Sequence, residues 1–434
     1  MKRKESGKIM LVVLMAVLAG LSFSQDTERR DDVVDLAPLQ TPQGFFPVLP
    51  WDPLRGWKHE MAPGDELKRI KDCHFTMGGF VKPEDLSSCE ALGLKALMFG
   101  TKERGPLSRK EWNSFSEEEI RAFVKTMVED AGQSEAILGY FLVDEPGATL
   151  FPKLSVAVEA VKRLAPGKLA YINLFPGYAT IGAPDTSQLQ TKSFAEYLER
   201  FVREVRPQIL SYDNYMVQYS QDLKEEGRAK RYYLDLLEVR RVALKYGLPF
   251  WNIVSSNQIR PHTTIPSPAN MQFQAFTTLA AGGRGVTWYT YNARGYGYAP
   301  VAKGGNITDT WVYLQMVNGQ LQRVGPYMNG LKSTGVFFSD PPPVPEMPLI
   351  PGDYVEGVNA PVPVMIGEFV DAEDTPHVMA VNLSLEHSAK VLLDLTRQVQ
   401  DCQSLSSASG EWIDVEEGPA TWLTAGQGIL LRLR

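Results

Sequence analysis

Asp144 and Glu145 stand side by side at the end of an apolar run, ILGYFLVDEPG (137–147), and Pro146 follows at once. Two adjacent carboxyls emerging from an apolar segment suit general acid and base work. Each raises the cost of ionising the other, so one of the pair keeps its proton nearer neutrality and can donate it. Pairing of one acid with a buried arginine is the structural reading of the same residues. Asp213 ends another apolar run, QILSYDNY (208–215), and Asp52 follows a third, GFFPVLPW (44–51). No lysine is placed on these ends for a Schiff base, and no serine sits in a nucleophile elbow.

Acids at the ends of separate runs meet only if the runs are strands of one sheet. Eight short runs rich in aromatic and β-branched residues recur: 44–51, 73–80, 96–100, 137–146, 168–176, 208–215, 248–256 and 284–291. Helical periodicity fills the gaps. Ser116 with Glu119 forms a capping box ahead of Ile120, Phe123, Val124 and Met127 on one face. Leu154, Ala157, Val158, Val161 and Leu164 repeat the period, and Pro166-Gly167 stops it. Eight strands alternating with helices predict a (β/α)8 TIM barrel over 45–332. A doubly wound sheet competes, but no Gly-rich phosphate turn follows the first strand. Beyond the proline-rich FFSDPPPVPEMP (337–348) the pattern turns to period two, predicting a small antiparallel β-sandwich over 333–434.

Barrel active sites lie at the C-terminal ends of the strands. The residues at those ends are therefore the candidates: Asp144, Glu145 and Asp213 for catalysis, and Asp52, Tyr171, Asn173, Tyr212, Tyr215, Trp288 and Tyr291 for substrate contact. Barrel packing is the structural alternative for the aromatics. Trp251, early in its strand, reads as core, and Glu238 lies on a helix at the wrong end for catalysis. Arg260 and His262 sit in the loop after strand 7. Arg294 to Tyr298, RGYGY, reads as an aromatic rim after strand 8.

The LVDEP segment resembles the strand-4 acid/base motif of clan A glycoside hydrolases. Together, GYFLVDEP, LAYINLFP, LSYDNY and GVTWYTY resemble bacterial exported glycoside hydrolases near the family 42 β-galactosidase-like barrels, over about 45–430. The resemblance implies a carbohydrate substrate and makes Glu145 the general acid/base, with Asp144 its helper. One departure stands out. Clan A enzymes carry a nucleophilic Glu at the end of strand 7, whereas here no Asp or Glu occurs between Glu238 and Asp309. Asp213 on strand 6 can supply the second carboxylate, or Asp52 on strand 1, or the protein binds glycans without cleaving them. The carboxyl separation decides the stereochemistry: about 5 Å for retention and roughly 6.5–9.5 Å for inversion.

The 434 residues are 44% hydrophobic and 22% charged, an ordinary globular balance. Lys2, Arg3, Lys4 and Lys8 precede an apolar run, Ile9 to Leu21, and Ser22-Phe23-Ser24 follows. This predicts a signal peptide over 1–24, a linker over 25–44, and a secreted or periplasmic protein with no membrane anchor after cleavage. No cysteine follows the run for a lipid anchor. The segment carries four Lys/Arg and one acid, so its removal takes the formal charge from −7 to −10. That acidity argues against nucleic acid as a partner. Three cysteines, Cys73, Cys89 and Cys402, make no disulfide framework; a Cys73–Cys89 bridge and three buried thiols are both open. None of the five histidines is spaced for zinc, and no cofactor is expected.

Overall fold

The computed structural model describes residues 36–51, 54, 61–180, 187–220, 222–396, 399, 401–415 and 420–434. The expected signal segment, most of the expected linker, and Asp52 lie outside the described residues.

Eight parallel strands form the barrel: β1 (Val48–Pro50), β2 (Met77–Val81), β3 (Lys95–Met98), β4 (Ile137–Asp144), β5 (Leu169–Asn173), β6 (Leu210–Asp213), β7 (Phe250–Ser255) and β8 (Val286–Tyr289). Hydrogen bonds join them as β2-β3-β4-β5 and as β1-β8-β7-β6. A bridge between Leu174 and Tyr212 links β5 to β6. Thr76 closes the other seam: its N–H donates to Val48 O at 3.3 Å and its hydroxyl to Phe46 O at 2.7 Å.

Alternation along each strand sorts the side chains. Leu49, Trp51, Met77, Phe80, Leu97, Phe141, Tyr171, Trp251 and Ile253 fill the barrel interior. Trp51 meets Phe80 edge-on at 4.8 Å, and Tyr171 lies 5.7 Å from Trp251. Their neighbours, such as Val48, Ala96, Val143, Ile172 and Leu210, face the helices.

The helix layer includes α1 (Pro63–Asp72), α2 (Leu86–Leu92), α3 (Arg109–Ser114), α4 (Glu117–Ala131), α5 (Phe151–Leu164), α6 (Phe194–Arg200), α7 (Met216–Tyr219), α8 (Glu226–Tyr246), α9 (Pro268–Ala280) and α10 (Asp309–Met328). The Ser116/Glu119 capping box opens α4 as its sequence predicts. Gly247 ends α8 at φ +64°, a left-handed conformation that glycine adopts without a Cβ penalty. Cys73, Cys89 and Cys402 are all free thiols and buried. No helix of the described residues is long and apolar enough to cross a membrane.

The C-terminal strands are β9 (Lys332–Phe338), β10 (Val355–Asn359), β11 (Val364–Val370), β12 (Pro376–Asn382), β13 (Ala389–Leu395), β14 (Cys402–Leu405), β15 (Trp412–Asp414), β16 (Ala420–Leu423) and β17 (Gly428–Leu433). They form two antiparallel sheets, β15-β14-β17-β12-β11-β9 and β10-β13-β16. Val355, Ile366, Val378, Val391, Leu393, Leu423 and Leu431 pack between the sheets. The outer face of the larger sheet lies on α9, so closely that a Cβ on Gly367 would collide with the Ala280 carbonyl. The architecture is a (β/α)8 barrel with a C-terminal β-sandwich.

Candidate active site

The acids at the ends of β4 and β6 come together. Asp144, the last residue of β4, pairs in register with Asn173, the last of β5. The Asn173 side-chain Nδ2 donates to Asp144 Oδ1 at 3.0 Å and to Asp213 Oδ1 at 2.9 Å. Its Oδ1 accepts from the Ser211 hydroxyl at 3.2 Å, and Ser211 in turn bonds the Tyr171 hydroxyl at 2.9 Å. Glu145, just beyond β4, adopts φ +47°, an uncommon backbone for a residue with a side chain. Its N–H donates to Asn173 O at 2.9 Å, which fixes the turn. The Glu145 carboxyl lies near enough to Asp213 to help raise the titration of its carboxyl.

These contacts set the protonation. Asp213 is only 2% exposed. Burial above all, then the charges of Glu145 and Asp144, push its carboxyl well above the usual carboxylate range. The carboxyl of Asp144 is pushed up to about 7, again by burial first and by Glu145 second; the Asn173 bond opposes the rise. The groups with raised values are thus Asp144 and Asp213, the two flanking Glu145. Burial thus favours the protonated form of Asp213.

Glu145 is the solvent-facing member, with its side chain 29% exposed. Its Oε2 lies 4.0 Å from an Arg109 nitrogen at the start of α3. Both acids of β4 line a cavity of about 330 Å³ with Arg109, Asn113, Gln188 and Gln190. Gly147 keeps that wall thin, because a Cβ there would strike the Gln190 amide.

Half-buried tyrosines from the strand-end loops surround the carboxyls. Tyr215 lies 5.2 Å from Tyr289, and the Tyr289 and Tyr296 hydroxyls are 2.8 Å apart. Tyr178 and Tyr219 meet edge-on at 6.5 Å. Arg294 stands over the Tyr289 ring and Arg260 over the Tyr219 ring, at 6.0 and 5.6 Å. The charges of Glu145 and Asp213 contribute to raising the hydroxyl titration of Tyr178 and Tyr219, after burial, which puts these rings close to the acids.

Four sequence candidates are thereby gathered with Glu145: Asp144, Asn173, Asp213 and, through Ser211, Tyr171. Tyr215 joins the tyrosine rim. Three others lie elsewhere. The Trp288 indole donates to Asn318 on α10 at 2.8 Å, the Tyr291 hydroxyl accepts from Trp311 at 3.0 Å, and Tyr212 packs in the helix-side core. The cause for Tyr212 and Trp288 is strand alternation: Asp213 and Tyr289 face inward, so their immediate neighbours face out. Asp52 is outside the described residues. Asp213 also differs from expectation in distance. It lies beside the β4 acids instead of across a gap, joined to Asp144 through Asn173.

Arg109, Gln188, Gln190, Tyr178 and Tyr219 were not singled out from sequence. Tyr178 and Tyr219 carried a signal, lying just beyond LFP and SYDNY; the polar residues sit in loops without periodicity. After β7, the Asn257 amide donates to the Thr290 hydroxyl at 3.1 Å and the Ser256 hydroxyl to Thr290 O at 3.0 Å. Among the described residues, no group of three or more His, Cys, Asp or Glu is placed to hold a metal ion.

No family model and no curated protein matches the chain in sequence. Solved structures match it in fold. A catalytic mutant of a family 42 β-galactosidase from G. stearothermophilus aligns with TM-score 0.59 at 7% identity, over 92% of this chain and 100% of that one. A β-galactosidase from Rahnella sp. R3 gives 0.54 at 9% identity, over 92% and 100%. A family 5 glycoside hydrolase from Bacteroides vulgatus gives 0.54 at 13% identity, over 90% and 89%. At these identities the likeness is one of fold.

Proposed function

We propose that the protein is an exported glycoside hydrolase, secreted or periplasmic, that cleaves an oligo- or polysaccharide with Glu145 as proton donor. The observation that carries this reading is the Glu145–Asp213 carboxyl pair at the mouth of a barrel. Glu145 is the half-exposed member, beside a cavity; Asp213 is the buried, protonated one. As the glycosidic C–O bond breaks, Glu145 passes to the leaving oxygen a proton drawn from Asp213; water adds to the anomeric carbon, and the proton it releases restores the carboxyl group of Asp213 or Asp144. The tyrosine rim offers flat faces for sugar rings, and Arg109 with the nearby amides offers hydrogen bonds to hydroxyls. The similar folds of family 42 and family 5 glycoside hydrolases support the same class.

A second reading, carbohydrate binding without cleavage, is favoured by one observation. No Asp or Glu stands at the end of β7, where the clan A enzymes that the sequence resembles carry a nucleophilic Glu. Hydrolysis of a panel of aryl glycosides by the mature protein and its Glu145→Gln variant separates the two. Turnover that the variant loses supports the hydrolase; a wild type that binds sugars but cleaves none supports the binding protein.

A further inference from the structure

At the opposite end of the barrel from the carboxyls, a cavity of about 280 Å³ opens between the C-terminal ends of α8 and α9 and the start of β9. Its walls are mostly apolar, from Leu244, Leu248, Pro249 and Phe250, yet Arg240, Arg284 and Lys332 also line it. No acid is among its lining residues. Neither arginine forms an ion pair with any described residue. Arg284 is spent on backbone, donating to the carbonyls of Leu331 and Gly283. Arg240 has one bond, from Nη2 to the Ser333 hydroxyl at 3.0 Å, and its buried Nε has no partner.

Burying a guanidinium costs several kcal/mol unless a counter-charge or full hydrogen bonding offsets it. Here burial alone pulls Arg240 below its ordinary value and brings Arg284 down to about 10, with no carboxylate opposing the fall. The missing component is negative. A guanidinium edge matches a planar carboxylate in two parallel bonds. Ser333, which accepts from Arg240, keeps its own hydroxyl proton to donate. The apolar walls suit a hydrocarbon body and penalise a strongly hydrated ion. Lys332, exposed at the mouth, adds attraction for an anion.

We propose that this cavity binds a small organic carboxylate, its anion held by Arg240 and Ser333 and its apolar body against Leu244, Leu248 and Phe250. Calorimetry and thermal melting of the whole protein in low-chloride buffer test this, with benzoate, benzamide and inorganic phosphate as probes. Benzoate is expected to bind saturably and raise the melting temperature by mass action. Benzamide, which lacks the charge, and phosphate, which lacks the apolar body, are expected to bind far more weakly. Arg240→Met removes the benzoate response, and Lys332→Ala, a surface change, weakens it several-fold. No saturable benzoate binding, an equal response to benzamide or phosphate, or an undiminished response in folded Arg240→Met overturns the proposal. Should Arg240→Met fail to fold, Lys332→Ala decides: unchanged benzoate affinity overturns it.

Discussion

Asp213 Oδ1 accepts from Asn173 Nδ2 at 2.9 Å, and the same nitrogen donates to Asp144 Oδ1 at 3.0 Å. Asp213 is buried at this bridge, and Glu145, the residue after Asp144, faces the cavity. That division links the fold to the proposed chemistry.

Asp213→Asn tests the link. The amide preserves a donor toward Glu145 but has no proton to pass on, and it favours the ionised form of its partner. Turnover is expected to fall, and the alkaline limb of the kcat profile to move to lower pH. A pH–rate profile identical to wild type would separate Asp213 from the chemistry.

Stability should depend on pH through three buried acids. Asp144, Glu66 and Asp235 are each raised to about 7, chiefly by burial. Below about pH 4 these groups are protonated in both the folded and the unfolded chain. Between there and about pH 7 the folded state holds protons that the unfolded chain has released, so stability falls as pH rises and then levels off. Asp144→Asn should therefore raise the melting temperature relative to wild type at pH 8, with the gain fading by pH 4.

Asn173 is the only side chain bonded to both Asp144 and Asp213 among the described residues. Asn173→Ala removes a donor shared by two buried acids, at a cost of roughly 1–3 kcal/mol. Asn173→Asp, which adds another carboxyl, should be worse, and more so at pH 8 than at pH 5. Denaturant titration at the two pH values measures both effects.

Trp288 and Tyr219 should behave oppositely. Trp288→Phe leaves the Asn318 oxygen without its buried donor, so it should lose about 1–3 kcal/mol of stability and leave KM unchanged. Tyr219→Ala, at the rim, should raise KM several-fold with little change in melting. Steady-state kinetics and melting curves on the same two variants check the assignment.

Much of this was legible from pattern. Each of the eight apolar runs overlaps a barrel strand, since fully buried parallel strands leave continuous apolar segments. The capping box at Ser116 opens α4, and α5 ends at Leu164 just ahead of Pro166-Gly167, where the sequence puts them. The clustering of Asp144, Glu145, Asn173 and Asp213 followed from their places at strand ends. The strand's period of two separates Tyr212, in the helix-side core, from its neighbour Asp213 at the site, a facing that residue type alone does not reveal. The Asn173 bridge between Asp144 and Asp213 and the left-handed turn at Glu145 were not legible, since neither leaves a periodic trace. Arg109 and the glutamines of the 187–190 segment are loop residues, with no pattern to place them.

The most direct measurement is the leaving-group dependence of turnover in wild type and Glu145→Gln. If Glu145 protonates the leaving oxygen, the variant should lose about 10²–10⁴-fold on glycosides of poorly acidic phenols. Strongly activated nitrophenyl glycosides, which need little protonation, should be much less affected. Wild-type rates in the variant across the whole leaving-group series would contradict the account.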